Sequence, residues 1–309
     1  MKILVVGAGA VGGYIGGRLL QAGREVEFLV RSRRAEQLKQ RGLRIVGGDR
    51  PEEIQATPVR ADALTGPYDL VLLSVKADAL PAALKDIAPA VGPDTALVPF
   101  LNGMAHLEAL TERFGAAVLG GTLRIGTQLD PNGDIRQFLP GGQIETGELD
   151  GGKTSRLDAV VGALTIPDFT VTVPDDIIDA MWAKWVMIAT VGAVTSIARG
   201  TIGDIAAVTD GAEFAVATLD EAAAVAAAAG HQLGEAAHTA LGNLVTAPGF
   251  ALTSSLSRDL AADRPTEVEN VLGDLIRRGR AAGVPVHRLE AAALTLRVHN
   301  QRQTAAAGS

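Results

Sequence analysis

Over its first 174 positions the chain alternates short apolar runs with longer amphipathic stretches. ILVV (3–6) is an apolar run ended by Gly7, and the spacing from Val11 to Leu20 is helical, closed by Gly23. VEFLV (26–30) predicts the next strand, and AEQLKQRG a helix that stops at Gly42. LRIV (43–46) precedes a Gly-Gly turn, with IQATPV (54–59) placed to pair back against it. DLVLLSV (69–75) is strand-like, ADALPAALKDIAPAV helical, and TALVPF (95–100) and AAVLGG (116–121) predict further strands. Strands alternating with helices at this spacing predict a parallel sheet covered by helices. The rhythm then changes. TLRIGTQLDPNGDIRQFLPGGQIETGEL carries a DPNG turn between alternating segments. That is a hairpin signature, expected to add antiparallel edge strands to the sheet.

From about Asp175 the strand pattern ends. Helical periodicity covers 175–199, 204–230, 234–246, 254–263, 266–283 and 286–302, with breaks at glycines and prolines such as Gly200, Gly230 and Pro265. The fold class expected is α/β: a Rossmann-type dinucleotide-binding domain at 1–174, then an all-helical domain at 175–309. One stretch of the helical half stands out. In MWAKWVMIATVGAV (181–194) a single charge, Lys184, sits among apolar or small residues. An ammonium group stripped of water is expensive unless it is paired, so Lys184 needs a reason.

Composition narrows the chemistry. A net charge of −7 and the absence of a basic stripe argue against a nucleic-acid partner. There is no cysteine, which excludes disulfides, thiolate catalysis and Cys-based zinc sites. The five histidines form no ligand pair of the HExxH kind, so no metal is expected. No run of eighteen apolar residues lacks a charge and no signal cleavage site follows the N-terminal run, so no membrane span and a cytoplasmic location are expected.

GAGAVG (7–12) has GxGxxG spacing, follows a strand and opens a helix, which is the context a dinucleotide loop requires. Gly7 permits the turn, Gly9 lets backbone approach a pyrophosphate, and Gly12 lets helix and strand pack closely. Ala10 and Val11 open the helix whose N-terminus faces the phosphates. At the end of the second strand an acidic residue would read the ribose 2′-hydroxyl of NAD. Here Arg31 stands, with Arg33 and Arg34 behind it, and Glu27 falls too early. Arginine suits a 2′-phosphate, so NADP is expected rather than NAD. Lys76 follows the DLVLLSV strand and Asn102 follows VPFL, where ligands of open α/β sheets bind. Glu267, in the first turn of a helix after Pro265, could complement the helix dipole or partner Lys184.

Taken in order, GAGAVGGYIGG, LVRSRR, LLSVKA, LNGM, MWAKW and SSLSRDLAADRPTEVE resemble the ketopantoate reductase family over nearly the whole chain. The resemblance implies a Rossmann domain and a helical domain with the active site between them. It implies NADPH-dependent reduction of a small-molecule 2-oxo acid, with ketopantoate to pantoate leading, and often a homodimer. It makes Lys184 the general acid and Glu267 its assistant, and Ser255 a holder of the substrate carboxylate. Lys76 and Asn102 line the cofactor–substrate cleft, with Glu267 also near the cofactor. Where well-known pantothenate-pathway members carry asparagines four and eight residues after the lysine, this chain has Ile188 and Gly192, on the lysine's own helix face. Losing two amides should relax or shift specificity. Two alternatives follow: a relative reducing a different, bulkier 2-oxo acid, and a dinucleotide-sensing protein without catalysis.

Overall fold

A computed structural model describes residues 1–48 and 50–307. The chain divides into two compact units: Met1–Leu101 with His106–Ala180, and Asn102–Ala105 with the chain from Met181 onward.

In the first unit the elements run β1 (Lys2–Val6), α1 (Ala10–Gln21), β2 (Glu25–Leu29), α2 (Ser32–Arg41), β3 (Leu43–Val46), β4 (Glu52–Ile54) and β5 (Thr57–Val59). They continue with β6 (Leu70–Leu73), α3 (Leu80–Asp86), β7 (Ala96–Pro99), α4 (Ala105–Phe114), β8 (Leu119–Leu129), β9 (Ile135–Glu148), α5 (Ser155–Leu164) and β10 (Phe169–Thr172). A parallel sheet has the order β5-β2-β1-β6-β7. β1, β6 and β7 are apolar and buried almost throughout, as strands covered on both faces must be.

The DPNG hairpin forms as β8 and β9, but it does not extend that sheet. It belongs to a second one, β10-β9-β3-β4 with β8 on β9. AAVLGG is likewise no strand of the parallel sheet; a 3₁₀ turn at Gly115–Ala117 leads into β8, leaving one parallel bridge, Leu97 to Val118. LRIV does pair back antiparallel, though onto 52–54, while Thr57–Val59 joins β2 in the other sheet. α5 and β10 had no counterpart in the sequence pattern.

The reason for two sheets lies in α1. Glycine inside a helix costs roughly 1 kcal/mol against alanine, yet α1 holds four. A Cβ on Gly12 or Gly16 would strike Val5 and Phe28 of the parallel sheet, at 3.1 and 2.5 Å. One on Gly13 or Gly17 would strike Ile135 and Leu43 of the second sheet, at 2.5 and 2.7 Å. The glycine pairs thus give α1 two bare faces, one pressed on each sheet.

The second unit is helical: α6 (Ile177–Ala198, from Met181), α7 (Ile202–Ala206), α8 (Gly211–Ala228), α9 (Glu235–Val245), α10 (Ser255–Ala261), α11 (Asp274–Ala281) and α12 (His287–Ala307). The helix expected over 204–230 is broken in two, with Asp210 left-handed at φ 62° between α7 and α8. The helix expected from 266 begins instead with a π-helical turn, Glu269–Gly273. Among the described residues α6 alone is long and apolar enough to cross a membrane by length and composition, with mean hydropathy 1.5, although Asp179 and Lys184 interrupt it. Its apolar stretch is 67% buried in the protein, as in a core helix.

Candidate dinucleotide cleft and buried lysine

In the first unit the β1–α1 turn is built as the glycine pattern requires. Gly7 has φ +94°, a conformation L side chains rarely adopt, and its N–H donates to Leu29 O at 3.0 Å. Gly12 has no room for a side chain, since a Cβ would lie 2.0 Å from Ser74 Oγ and 2.1 Å from Gly7 O. Gly9, the N-cap of α1, has open space instead, with nothing within 4 Å of a would-be Cβ. A positive φ at Gly7 and closed contacts at Gly12, around an open Gly9, fit a ligand approaching backbone there. Ser74 secures the turn from below, its Oγ donating to Val6 O at 2.9 Å.

Beside this turn lies a cleft of about 810 Å³, lined among others by Gly7, Ala8, Gly9, Arg31, Arg34 and Arg60. Its size and its helix N-terminus suit a dinucleotide. Arg31 is exposed at the N-cap of α2. Arg60 is held by Asp62, at 3.1 and 2.9 Å. Glu27 takes a hydrogen bond from the Tyr68 hydroxyl and an ion pair from Lys2, 3.4 Å away. Desolvation and then the bond to Glu27 push the Tyr68 hydroxyl above its ordinary range. Of the sequence candidates, Gly7, Gly9 and Arg31 line the cleft. Ala10, Val11 and Gly12 form the helix start behind it, and Lys76 is exposed just after β6. Ser74 and Arg60 were not singled out from the sequence, and Arg34 was named only as part of the basic run behind Arg31; a serine ending a strand carries no pattern of its own.

In the second unit Lys184 is 7% exposed on α6. Glu267 is half-buried immediately before the helix that opens with the π-turn, and neither residue is without a partner. The two segments are joined directly. Trp185, 1% exposed, donates from Nε1 to Val271 O at 2.8 Å, and Val271 N donates to Glu267 O at 3.1 Å. A π-turn shifts the helical register and is a frequent mark of functional sites. Here it also turns Asn270 toward the 102–105 segment. Asn270 Nδ2 donates to Asn102 O at 2.6 Å, and a Cβ on Gly103 would lie 2.7 Å from Asn270 O. Asn300 holds Thr266, accepting from its N–H at 2.8 Å and donating to its carbonyl at 2.9 Å. Asn270 and Asn300 are further positioning residues that no sequence spacing announced.

α10 docks on the same helix. Gly192 stands so close to Leu256 that a Cβ would approach Leu256 Cδ1 to 3.0 Å, and Thr195 Oγ1 lies 3.0 Å from Ser254 Oγ. Ser254 caps α10 through its side chain, which leaves Ser255 exposed in the first turn. Ile188, half-buried, and Gly192 follow Lys184 on one face of α6. In the second unit the segments bearing Glu267 and Ser255 thus meet α6, which carries Lys184, and the segment bearing Asn102 meets the π-turn.

The chain matches the family profile "Ketopantoate reductase PanE/ApbA" over residues 3–151 and "Ketopantoate reductase PanE/ApbA C terminal" over 176–300. It is 32% identical to the uncharacterized oxidoreductase YkpB of Bacillus subtilis over 300 residues, covering 97% of this chain and 99% of that one. It is 28% identical to the 2-dehydropantoate 2-reductase of Archaeoglobus fulgidus, covering 92% of each. A D-mandelate dehydrogenase solved with NADH and anilino(oxo)acetate shares the fold, with a TM-score of 0.88 at 21% identity over 98% of this chain and 100% of that one. With both profiles matched in order and a relative aligned almost end to end, this chain belongs to the ketopantoate reductase family of oxidoreductases.

Proposed function

We propose that this protein reduces a 2-oxo acid to the 2-hydroxy acid with NADPH, and that ketopantoate, giving pantoate, is its leading substrate. The observation that carries the reading is Lys184: a lysine 7% exposed in a stretch of α6 with no other charge from Met181 to Val194, in a chain whose other unit presents a glycine-cradled, arginine-rimmed cleft. Burying an ammonium is costly, and a lysine held in such a place, with partners, can serve as a proton donor.

NADPH, when bound, would supply the hydride that reduces the keto carbon. Lys184 gives its Nζ proton to the oxygen that becomes the hydroxyl. Glu267 holds the ammonium and restores its proton from solvent. Ser255 and the Asn102 side chain bind the substrate carboxylate and carbonyl, and Lys76 and Arg31 hold the phosphorylated cofactor. Arg31, exposed just after β2 at the sequence position where an acidic residue would read NAD, supports NADPH over NADH.

A second reading has one specific support. Ile188 and Gly192 leave Lys184's helix face without an amide, and Leu256 crowds Gly192. Such a face suits a 2-oxo acid with a larger apolar substituent. The test is NADPH oxidation by the purified protein against ketopantoate, 2-oxoisovalerate, 2-oxo-4-methylpentanoate and phenylpyruvate. The first reading expects ketopantoate to have the highest kcat/KM, and a preference for phenylpyruvate favours the second. No turnover with any of them contradicts catalysis and leaves a dinucleotide-sensing protein.

A further inference from the structure

Within the run RSRR, Arg34 is placed unlike its neighbours. It is half-buried, and its guanidinium reaches across three segments of the first unit. Nε donates to Ala8 O at 3.1 Å, in the glycine turn, and Nη1 donates to Gly133 O at 2.8 Å, in the β8–β9 turn. Nη1 also donates to Gln37 Oε1 at 2.6 Å, and Gln37 Nε2 donates in turn to Asn132 O. Nη2 is buried without a hydrogen-bond partner. Burial pushes this guanidinium below its ordinary range, with Asp134 opposing the shift. A charge held this way, chiefly on backbone carbonyls, costs desolvation with little ion-pair return.

The peptide unit is planar and trans, so the carbonyl of Ala8 and the N–H of Gly9 point in opposite directions. Fixing Ala8 O on Arg34 therefore aims the Gly9 N–H away from Arg34. The same turn is tied to β8 a second time, since Thr127 Oγ1 donates to Ala10 O at 3.0 Å. The β8–β9 turn is itself rigid: Asp130 Oδ1 accepts from Asn132 N and Asp134 N, each at 2.9 Å, and Gly133 has φ +82°.

We propose that Arg34 is a positioning residue that uses the β8–β9 turn as a fixed post to orient the Gly9 peptide for pyrophosphate binding. This rests on the dinucleotide reading above. Arg34 acts on a part common to NADPH and NADH, whereas Arg31 is assigned to the 2′-phosphate. The inference gives the second sheet a role in binding, through a turn that does not line the cleft.

The test is fluorescence titration of NADPH and NADH with wild type, Arg34→Met, Arg34→Lys and Gly133→Ala, each below its own melting transition. Gly133→Ala acts remotely: a Cβ there would lie 2.7 Å from Arg34 Nη1 in a backbone conformation alanine resists. Arg34→Met is expected to raise both dissociation constants alike, by about tenfold, the loss of a charge-assisted hydrogen bond. Gly133→Ala is expected to raise both in the same ratio, and Arg34→Lys to recover part of the loss. Unchanged affinity in Arg34→Met or in Gly133→Ala overturns the proposal, as does weakening of NADPH alone, which would make Arg34 a phosphate reader. If wild type binds neither nucleotide, the dinucleotide reading fails first and this inference with it.

Discussion

Arg31 and Arg34 stand three residues apart in one basic run and meet different surroundings. Arg31 is exposed at the cleft rim, while Arg34 is spent on backbone carbonyls. Removing Arg31 should therefore act selectively. Arg31→Ala is expected to weaken NADPH by about tenfold or more, the worth of one charge-assisted contact, while NADH changes little. Equal weakening of both in a paired titration would show that Arg31 does not read the 2′-phosphate. The run itself was legible in the sequence, but the division of labour was not. Side-chain direction depends on where β8 and β9 arrive, and that is settled by contacts about a hundred residues apart. Lys184 is the converse case. An isolated charge in an apolar stretch needs no partner in view to attract suspicion, because the cost of burying it is local.

At the scale of elements, two junctions carry testable weight. Trp185 fastens α6 to the π-turn through Val271 O. Trp185→Phe removes the indole N–H that makes this bond and shrinks a buried ring, a loss of about 1 kcal/mol or more. Urea denaturation should show the loss, and an unchanged midpoint would mean the bond contributes nothing. In the first unit Glu148, at the end of β9, is 6% exposed and binds Arg156 and the Thr154 cap of α5. The hydrogen bond from Arg156 holds its carboxyl below the usual glutamate range, against the opposing effect of burial. A depressed folded-state pKa stabilises above the unfolded value, near 4.3, and that stability is lost as pH falls toward the folded value. Wild type should therefore exceed Glu148→Gln in stability at neutral pH, with the gap narrowing below about pH 4. A gap independent of pH would refute the link. α5 itself, with its Thr154 cap, escaped the hydrophobic pattern, as did β10. The parallel strands did not, because burial on both faces writes itself as continuous apolar runs. The second sheet was misread as an extension of the first, since a hairpin signature fixes a pairing but not the sheet it joins. The information lay in α1, whose Gly12-Gly13 and Gly16-Gly17 pairs leave two bare faces for two sheets.

At the scale of the molecule, each unit holds one half of the proposed chemistry. The first holds the glycine turn, Arg31 and the cleft, and the second holds Lys184, Glu267, Ser255 and Asn102. The alternation of strand and helix, then helix alone, placed the boundary at 174/175, whereas the two units part at Ala180 and Met181 and Asn102–Ala105 goes with the helices. What it could not reach was the bracing: Asn270 on the Asn102 carbonyl, Asn300 on Thr266, Leu256 over Gly192. Each is a contact between segments distant in the chain, made by a residue type with no periodic signature. If cofactor binding and proton delivery reside in separate units, they should be separable by a single substitution. The decisive measurement is kcat with NADPH and the best 2-oxo acid, beside the NADPH dissociation constant, for wild type and Lys184→Ala. A general acid is worth about 10²- to 10⁴-fold, so kcat should fall within that range while NADPH affinity stays within about twofold. A kcat left near the wild-type value, or a fall in NADPH affinity as large as the fall in kcat, would contradict the assignment of Lys184 as the proton donor.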